Sequence, residues 1–420
     1  MKTPRIAQLA NAIYTRLQKI MGSDPLSLNN AMVDDLKARG LIRSEAVEAA
    51  FRATPRHLFL PATPLDQVYN DEPVVTRYNE RKQPISSSSQ PAIMAIMLEL
   101  LGLQPGMRVL EIGAGTGYNA ALMAHIVGSA GSVVTVDIDE EVIDEARTRL
   151  NNAGAAAVQT IRGDGALGYL PAAPYDRIIL TVGAHDIALA WRDQLREGGL
   201  LVLPLSLRYT PRVFAFERQG DLMRSVHITS GGFMPLRGQG APAEQTYPLP
   251  EHDGISFWHD GAALIDLPAL AQTFSAAQRS FNTHVTADTL STWSGWSLWL
   301  ELHDPAFTLL LVDRPDARSS QFAAFAESAQ FAVVTPPEAH GERAGQIELH
   351  VRCYGESDTL AQRLIARLRD WRTAGSPRLE RELYVTAFPL EAKIKLPASA
   401  LRIVKAQMQY IITIDTETLS

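Results

Sequence analysis

The sequence predicts an α/β protein: a doubly wound, mainly parallel sheet, preceded by helices and followed by a separate α+β domain. Three observations carry this. Short apolar, β-branched runs alternate with helical patterns between about residues 92 and 205. A glycine-rich turn, Gly113-Ala114-Gly115-Thr116-Gly117, stands directly between the first of these runs and a helix pattern. A Gly- and Pro-rich stretch then separates this region from a C-terminal part with its own strand pattern.

Met1 to Met21 has Ile6, Leu9, Ala10, Ile13, Leu17 and Ile20 near one face of a helix that ends at Gly22, a pattern suited to packing or a dimer contact. A second helix is expected from about Leu28 to Arg39, stopped by Gly40. A third runs from Glu45 to Ala53, capped by Ser44 and ended by Pro55. Leu65 to Gln83 reads as irregular and polar. Four serines, Ser86 to Ser89, precede Gln90-Pro91 and a helix over Ala92 to Leu101.

The expected sheet strands are Arg108–Ile112, Ser132–Asp139, Ala157–Arg162, Tyr175–Val182 and Leu200–Leu205, with a further strand over Val226–Phe233. Continuous apolar runs of this kind suit strands covered on both faces. Gly231 to Pro250 reads as a domain boundary. The resulting organisation is an N-terminal helical region (1–83), a ligand-binding domain (84–238) and a C-terminal α+β domain (250–420). In the last, strands are expected at 295–302, 307–312, 346–353, 383–388 and 409–414, and a helix at 359–372. Trp296, Leu298 and Leu300 alternate with Ser297, Trp299 and Glu301, which reads as the core alternation of a strand.

Composition narrows the function. With 420 residues, 46% of them apolar and 20% charged, the chain is an ordinary globular protein of two or three domains. The formal charge of −7 gives no basic footprint for nucleic acid. The single cysteine, Cys353, excludes an internal disulfide and reads as a small core residue. His252, His259 and His303 lack metal-ligand spacing, and no metal site is expected. No stretch approaches 18 apolar residues and no secretory signal is evident, so a cytoplasmic protein without a membrane span is expected.

The glycine turn is the most telling motif. Its G-x-G-x-G spacing differs from the G-x-G-x-x-G of dinucleotide sites and from the lysine-bearing phosphate loop. Glu111 stands just ahead of it, and Asp137 closes the next strand, 20 residues after Gly117. An acid at that position can accept hydrogen bonds from ribose hydroxyls. Together these resemble the S-adenosylmethionine motif of class I methyltransferases.

From about Met32 to Gly238 the chain resembles the protein-L-isoaspartate O-methyltransferases. The resemblance runs through Asp34–Ile42, Val47–Phe51, Pro55–Phe59 and Tyr69–Pro73. It continues in Ser89-Gln90-Pro91-Ala92-Ile93-Met94-Ala95, Glu99-Leu100-Leu101, Gly163-Asp164-Gly165 and Ala173–Ile178. The resemblance implies that Ser89 lies at the active site, because it has the family's spacing to Pro91; Ile85-Ser86 offers a second hydroxyl three residues earlier. It also implies S-adenosylmethionine as donor, S-adenosylhomocysteine as product, and Asp164 with Gly165 at the adenine.

Gly113, Ala114, Gly115 and Gly117 are expected to let the backbone close on the amino-acid end of that donor. Glu111 either supports the loop or meets the donor's ammonium. Asp137 is expected to bind ribose, and Ser89 to hold the substrate carboxylate. The substrate is then an aspartyl or isoaspartyl residue of a peptide or protein, whose methyl ester cyclises to a succinimide. Because long members with an added tail resemble enzymes that modify ribosomally made peptides, a dedicated peptide is expected here. The alternatives are general protein repair, and a catalytically silent protein that binds the cofactor and contacts a partner. A homodimer is also expected.

Overall fold

The computed structural model describes residues 24–80, 82, 84–241, 246–258, 265–274, 278–288, 295–314, 317–335, 346–378, 382–397 and 400–414. The expected helix at Met1 to Met21 and His259 lie outside them. Two compact units emerge. The first combines the chain up to Val182 with Ala188–Leu203 and Leu236–Gly240; the second holds Gly183–Ile187, Pro204–Pro235 and the chain from Ala241 on.

Among the described residues, the first unit opens with α1 (Pro25–Ala38) and α2 (Glu45–Ala53). Helix α1 starts three residues ahead of its expected position, because Pro25 pre-sets the first turn and Asp24 accepts a hydrogen bond from Ser27 N at 3.2 Å. Ser44 caps α2 through Val47 N, as expected.

The stretch read as irregular is in fact structured. It holds a short helix α3 (Leu65–Val68) and strand β1 (Val74–Tyr78), which pairs antiparallel with β2 (Pro84–Ser88). The charges at its tip hid the hairpin. Helix α4 (Pro91–Leu101) follows, ending at Gly102 in the left-handed conformation.

The central strands are β3 (Arg108–Ile112), β4 (Ser132–Asp137), β5 (Gln159–Arg162), β6 (Tyr175–Leu180) and β7 (Leu195–Ser206), whose last residues belong to the second unit. They are parallel, in the order β7-β6-β3-β4-β5. Helices α5 (Tyr118–Val127), α6 (Glu140–Asn152) and α7 (Leu189–Gln194) lie on three of the connections. The chain moves outward from β3 to β4 and β5, then returns to β6 on the other side of β3. The order reverses between β3 and β6, and a crevice at such a reversal is where ligands bind in open α/β sheets.

In the second unit, β8 (Pro211–Gln219) and β9 (Leu222–Ser230) form a hairpin. Strands β10 (Thr246–Pro248), β11 (Ile255–Trp258), β12 (Gln278–Asp288), β13 (Phe307–Arg314), β14 (Ala317–Glu327), β15 (Gln330–Thr335) and β16 (Gln346–Tyr354) form a seven-stranded sheet. Cys353 is buried in its core. Helices α8 (Leu267–Phe274), α9 (Ser297–His303) and α10 (Thr359–Thr373) accompany it. Strands β17 (Leu383–Pro389), β18 (Leu401–Val404) and β19 (Met408–Ile414) pair with one another, and β17 pairs with β9.

One expectation in this unit fails. The strand expected at 295–302 is instead largely helical, with Ser297–His303 forming α9. His303 stacks on Trp299 with ring centroids 3.9 Å apart, the contact of residues four apart on a helix. Ser297, Leu298, Leu300, Glu301 and Leu302 are all buried, so burial on more than one face made a short helix mimic strand alternation.

Candidate active site

The glycine turn sits at the reversal point. Thr181, just past β6, donates from N to Ile112 O at 3.0 Å and from Oγ1 to Gly113 O at 2.6 Å, tying the ends of the two central strands. Gly113 has φ +99°, and a Cβ there would stand 2.7 Å from Thr181 Oγ1 and 2.9 Å from Val182 Cγ1. Gly115 and Gly117 also have positive φ, and Gly117 begins α5. Ala114 is buried against Ile143 and Ala146 of α6. The turn is a backbone cradle that side chains would fill.

Glu111 does not point into open space. It is fully buried; Asn119 Nδ2 donates to one carboxylate oxygen at 2.8 Å and Thr135 Oγ1 to the other at 2.6 Å. Burial raises its pKa to about 7, against the pull of those two bonds. Its contacts tie β3 to β4 and to the first turn of α5.

Asp137 ends β4, with its carboxylate accepting from Asp139 N at 3.2 Å and from Gly115 N at 3.4 Å. Its side chain is 12% exposed, and Arg237 Nη2 lies 3.5 Å away. Burial raises its pKa; the two backbone donors and Arg237 oppose that. Both backbone contacts are long, which leaves the carboxylate acceptor capacity for further donors.

Asp164 caps the short turn Gly165–Leu167 through Ala166 N, and Gln239 N donates to its second oxygen at 2.8 Å. Gly165 lies flat on β3, since a Cβ would come 2.4 Å from Ile112 Cγ2. Trp191 Nε1 donates to the Gly165 carbonyl at 2.8 Å.

Strand β2 and the residue after it sort the four serines with a two-residue period. Ser86 and Ser88 are buried, whereas Ser87 and Ser89 are half-open. The Ser86 hydroxyl accepts from Thr76 Oγ1 at 3.1 Å across the hairpin. The decisive contact is made by Ser87: its carbonyl oxygen lies 3.3 Å from where a Cβ on Gly115 would stand. The serine segment therefore lies directly over the glycine turn.

Residues 27–240 match the family described as protein-L-isoaspartate(D-aspartate) O-methyltransferase. The chain belongs to this family. A protein-L-isoaspartate O-methyltransferase of Methanopyrus kandleri is 41% identical over 213 residues, covering 50% of this chain and 90% of that protein. That of Pyrococcus horikoshii is 42% identical over 214 residues, covering 49% and 91%. That of Thermotoga maritima is 41% identical over 198 residues, covering 45% and 62%. A solved protein-L-isoaspartate O-methyltransferase structure is similar at a TM-score of 0.50 and 24% identity, covering 85% of this chain and 96% of that one. The fold is thus that of a class I methyltransferase, and at this coverage the likeness extends past residue 240.

Several neighbours of the site were not read from the sequence. Arg56, Thr181 and Trp191 act through hydrogen bonds to backbone carbonyls, which leave no residue pattern. Leu236–Gly240 fell inside the stretch read as a boundary. It instead engages both acids, through Arg237 at Asp137 and Gln239 at Asp164. Its one signal was Gly238, where a Cβ would strike the Asp164 carboxylate at 2.6 Å.

Proposed function

We propose that this chain is a carboxyl methyltransferase that uses S-adenosylmethionine to methylate isoaspartyl residues of proteins and peptides, in general repair. The observation that carries the reading is the Ser87 carbonyl over Gly115, which sets an acceptor-side strand against a donor-side turn. The residues fit the donor: a cradle of backbone at Gly113, Gly115 and Gly117, and an acid at the end of β4 with acceptor capacity to spare.

A donor bound there would supply an electrophilic methyl on a sulfonium, with S-adenosylhomocysteine as the product. Gly113, Ala114, Gly115 and Gly117 hold its amino-acid end, and Asp137 accepts from its ribose. Asp164 and Gly165 shape the adenine side. Glu111 stiffens the cradle from behind. Ser89 donates to one oxygen of the acceptor carboxylate and keeps the other in line. That carboxylate is ionised at neutral pH, so no general base is required. Orientation is the main catalytic term, and good alignment is worth about 7–11 kcal/mol.

The relatives bear the name of isoaspartate methyltransferases, which favours repair over the dedicated peptide expected from the long chain. The test is labelled methyl transfer to a matched pair of peptides, one isoaspartyl and one aspartyl. Labelling of the isoaspartyl peptide supports repair. Labelling of the aspartyl peptide alone supports a maturation role, and donor binding with neither peptide labelled supports a silent protein.

A further inference from the structure

We propose that Arg56 is a positioning residue for methyl transfer: a buried, unneutralised cation behind Ser89 that fixes the acceptor segment and favours an anionic acceptor. The inference rests on the reading of Ser89 given above.

Arg56 is fully buried just after α2, yet its guanidinium meets only oxygens that carry no charge. Nη1 donates to Val68 O at 2.6 Å and Asn70 O at 3.4 Å. Nη2 donates to Ser89 O at 2.9 Å, with Glu72 O at 3.3 Å and both Ser88 O and Ser88 Oγ at 3.4 Å. One rigid, planar fork therefore joins the loop at 68–72 to the end of β2. Two further contacts brace the same join: Gln90 Nε2 donates to Asp71 O at 3.0 Å, and Ala92 N to Asp71 Oδ1 at 2.9 Å.

A buried cation is ordinarily paired with a carboxylate. Among the described residues none is in ion-pair contact with Arg56; the nearby Asp71 is turned to Ala92 N and Arg39. Carbonyl dipoles stabilise the guanidinium without cancelling its charge. The uncancelled field acts at Ser89, whose carbonyl Arg56 itself holds. An acceptor carboxylate arriving there is the anion this arrangement lacks. A neutral acceptor, including the methyl ester product, gains nothing from it.

The test compares wild type, Arg56→Lys and Arg56→Gln with an isoaspartyl peptide, counting active sites by donor binding. Arg56→Lys keeps a protonatable group and loses the fork: kcat per donor-binding site should fall about tenfold or more, with peptide KM held within about threefold at a pH where the amine is charged. Arg56→Gln should in addition raise KM about tenfold, with donor Kd held within about threefold in both. Should either variant fail to fold, wild type alone gives a readout: the peptide's methyl ester and its isoasparaginyl analogue should inhibit about tenfold more weakly than the acid binds. Unchanged kcat and KM would overturn the proposal. So would a loss of activity matched by an equal loss of donor-binding sites, which marks a purely structural clip, or equal binding of acid and ester. A wild-type protein inactive on the isoaspartyl peptide would instead refute the proposed function.

Discussion

Thr135 Oγ1 donates to Glu111 Oε2 at 2.6 Å inside a fully buried site, and Asn119 holds the other oxygen. Burial nonetheless dominates, raising the Glu111 pKa to about 7. An acid whose folded pKa exceeds its unfolded value of about 4.3 stabilises the fold at low pH. That contribution is complete below the unfolded value and is lost as pH rises through about 7. It amounts to about 4 kcal/mol at most, on the scale of 1.36 kcal/mol per pKa unit. Urea unfolding at pH 5, 6.5 and 8 should show this decline in wild type and a flatter profile in Glu111→Gln. Donor affinity of the variant should stay within about threefold, because the carboxylate faces Asn119 and Thr135.

Asp137→Ala should weaken donor binding about 30- to 150-fold, the loss of charge-assisted bonds of about 2–3 kcal/mol. The fold should survive, since the side chain makes only long contacts, to backbone N–H groups at 3.2 and 3.4 Å and to Arg237 at 3.5 Å. Calorimetric titration with S-adenosylhomocysteine, beside a thermal melt, checks both parts.

Gly113→Ala and Gly154→Ala separate backbone strain from crowding. Both glycines have positive φ, but a Cβ at Gly154 meets nothing within 4 Å, whereas at Gly113 it meets Thr181 and Val182 below 3.0 Å. Gly154→Ala should cost about 1 kcal/mol and Gly113→Ala about 2–4 kcal/mol, measured by denaturant unfolding.

Ser86→Ala and Ser89→Ala should have opposite signatures. The first removes the bond to Thr76 and should cost about 1 kcal/mol of stability with kcat unchanged. The second should lower kcat about tenfold or more while donor Kd and stability hold, as expected for a group that orients the acceptor. Steady-state kinetics on an isoaspartyl peptide distinguish them.

The sheet was legible because buried parallel strands write themselves as apolar runs: β3, β4 and β6 lie where the pattern put them. So was α2, through its Ser44 cap. The hairpin β1–β2 was not, because its serines and charges carry no apolar alternation; pairing to β2 and the packing of Ser86 and Ser88 hold it. Helix α9 was misread because burial of Ser297, Leu298, Leu300 and Glu301 spans two faces. At the site, the glycine turn and Asp137 could be named from their spacing, since glycine and acid at chosen strand ends are sequence facts. Arg56 could not be singled out. Apart from the Ser88 hydroxyl, its partners are main-chain oxygens of residues 68, 70, 72, 88 and 89, which any side chains would supply.

The most direct measurement is the structure of the protein with S-adenosylhomocysteine and an isoaspartyl peptide. It should place ribose hydroxyls on Asp137, the sulfur beside Gly115 under the Ser87 carbonyl, and the peptide carboxylate on the Ser89 hydroxyl in line with that sulfur. An adenosyl group bound away from the turn at Gly113 to Gly117, or a carboxylate held out of reach of Ser89, would contradict the account.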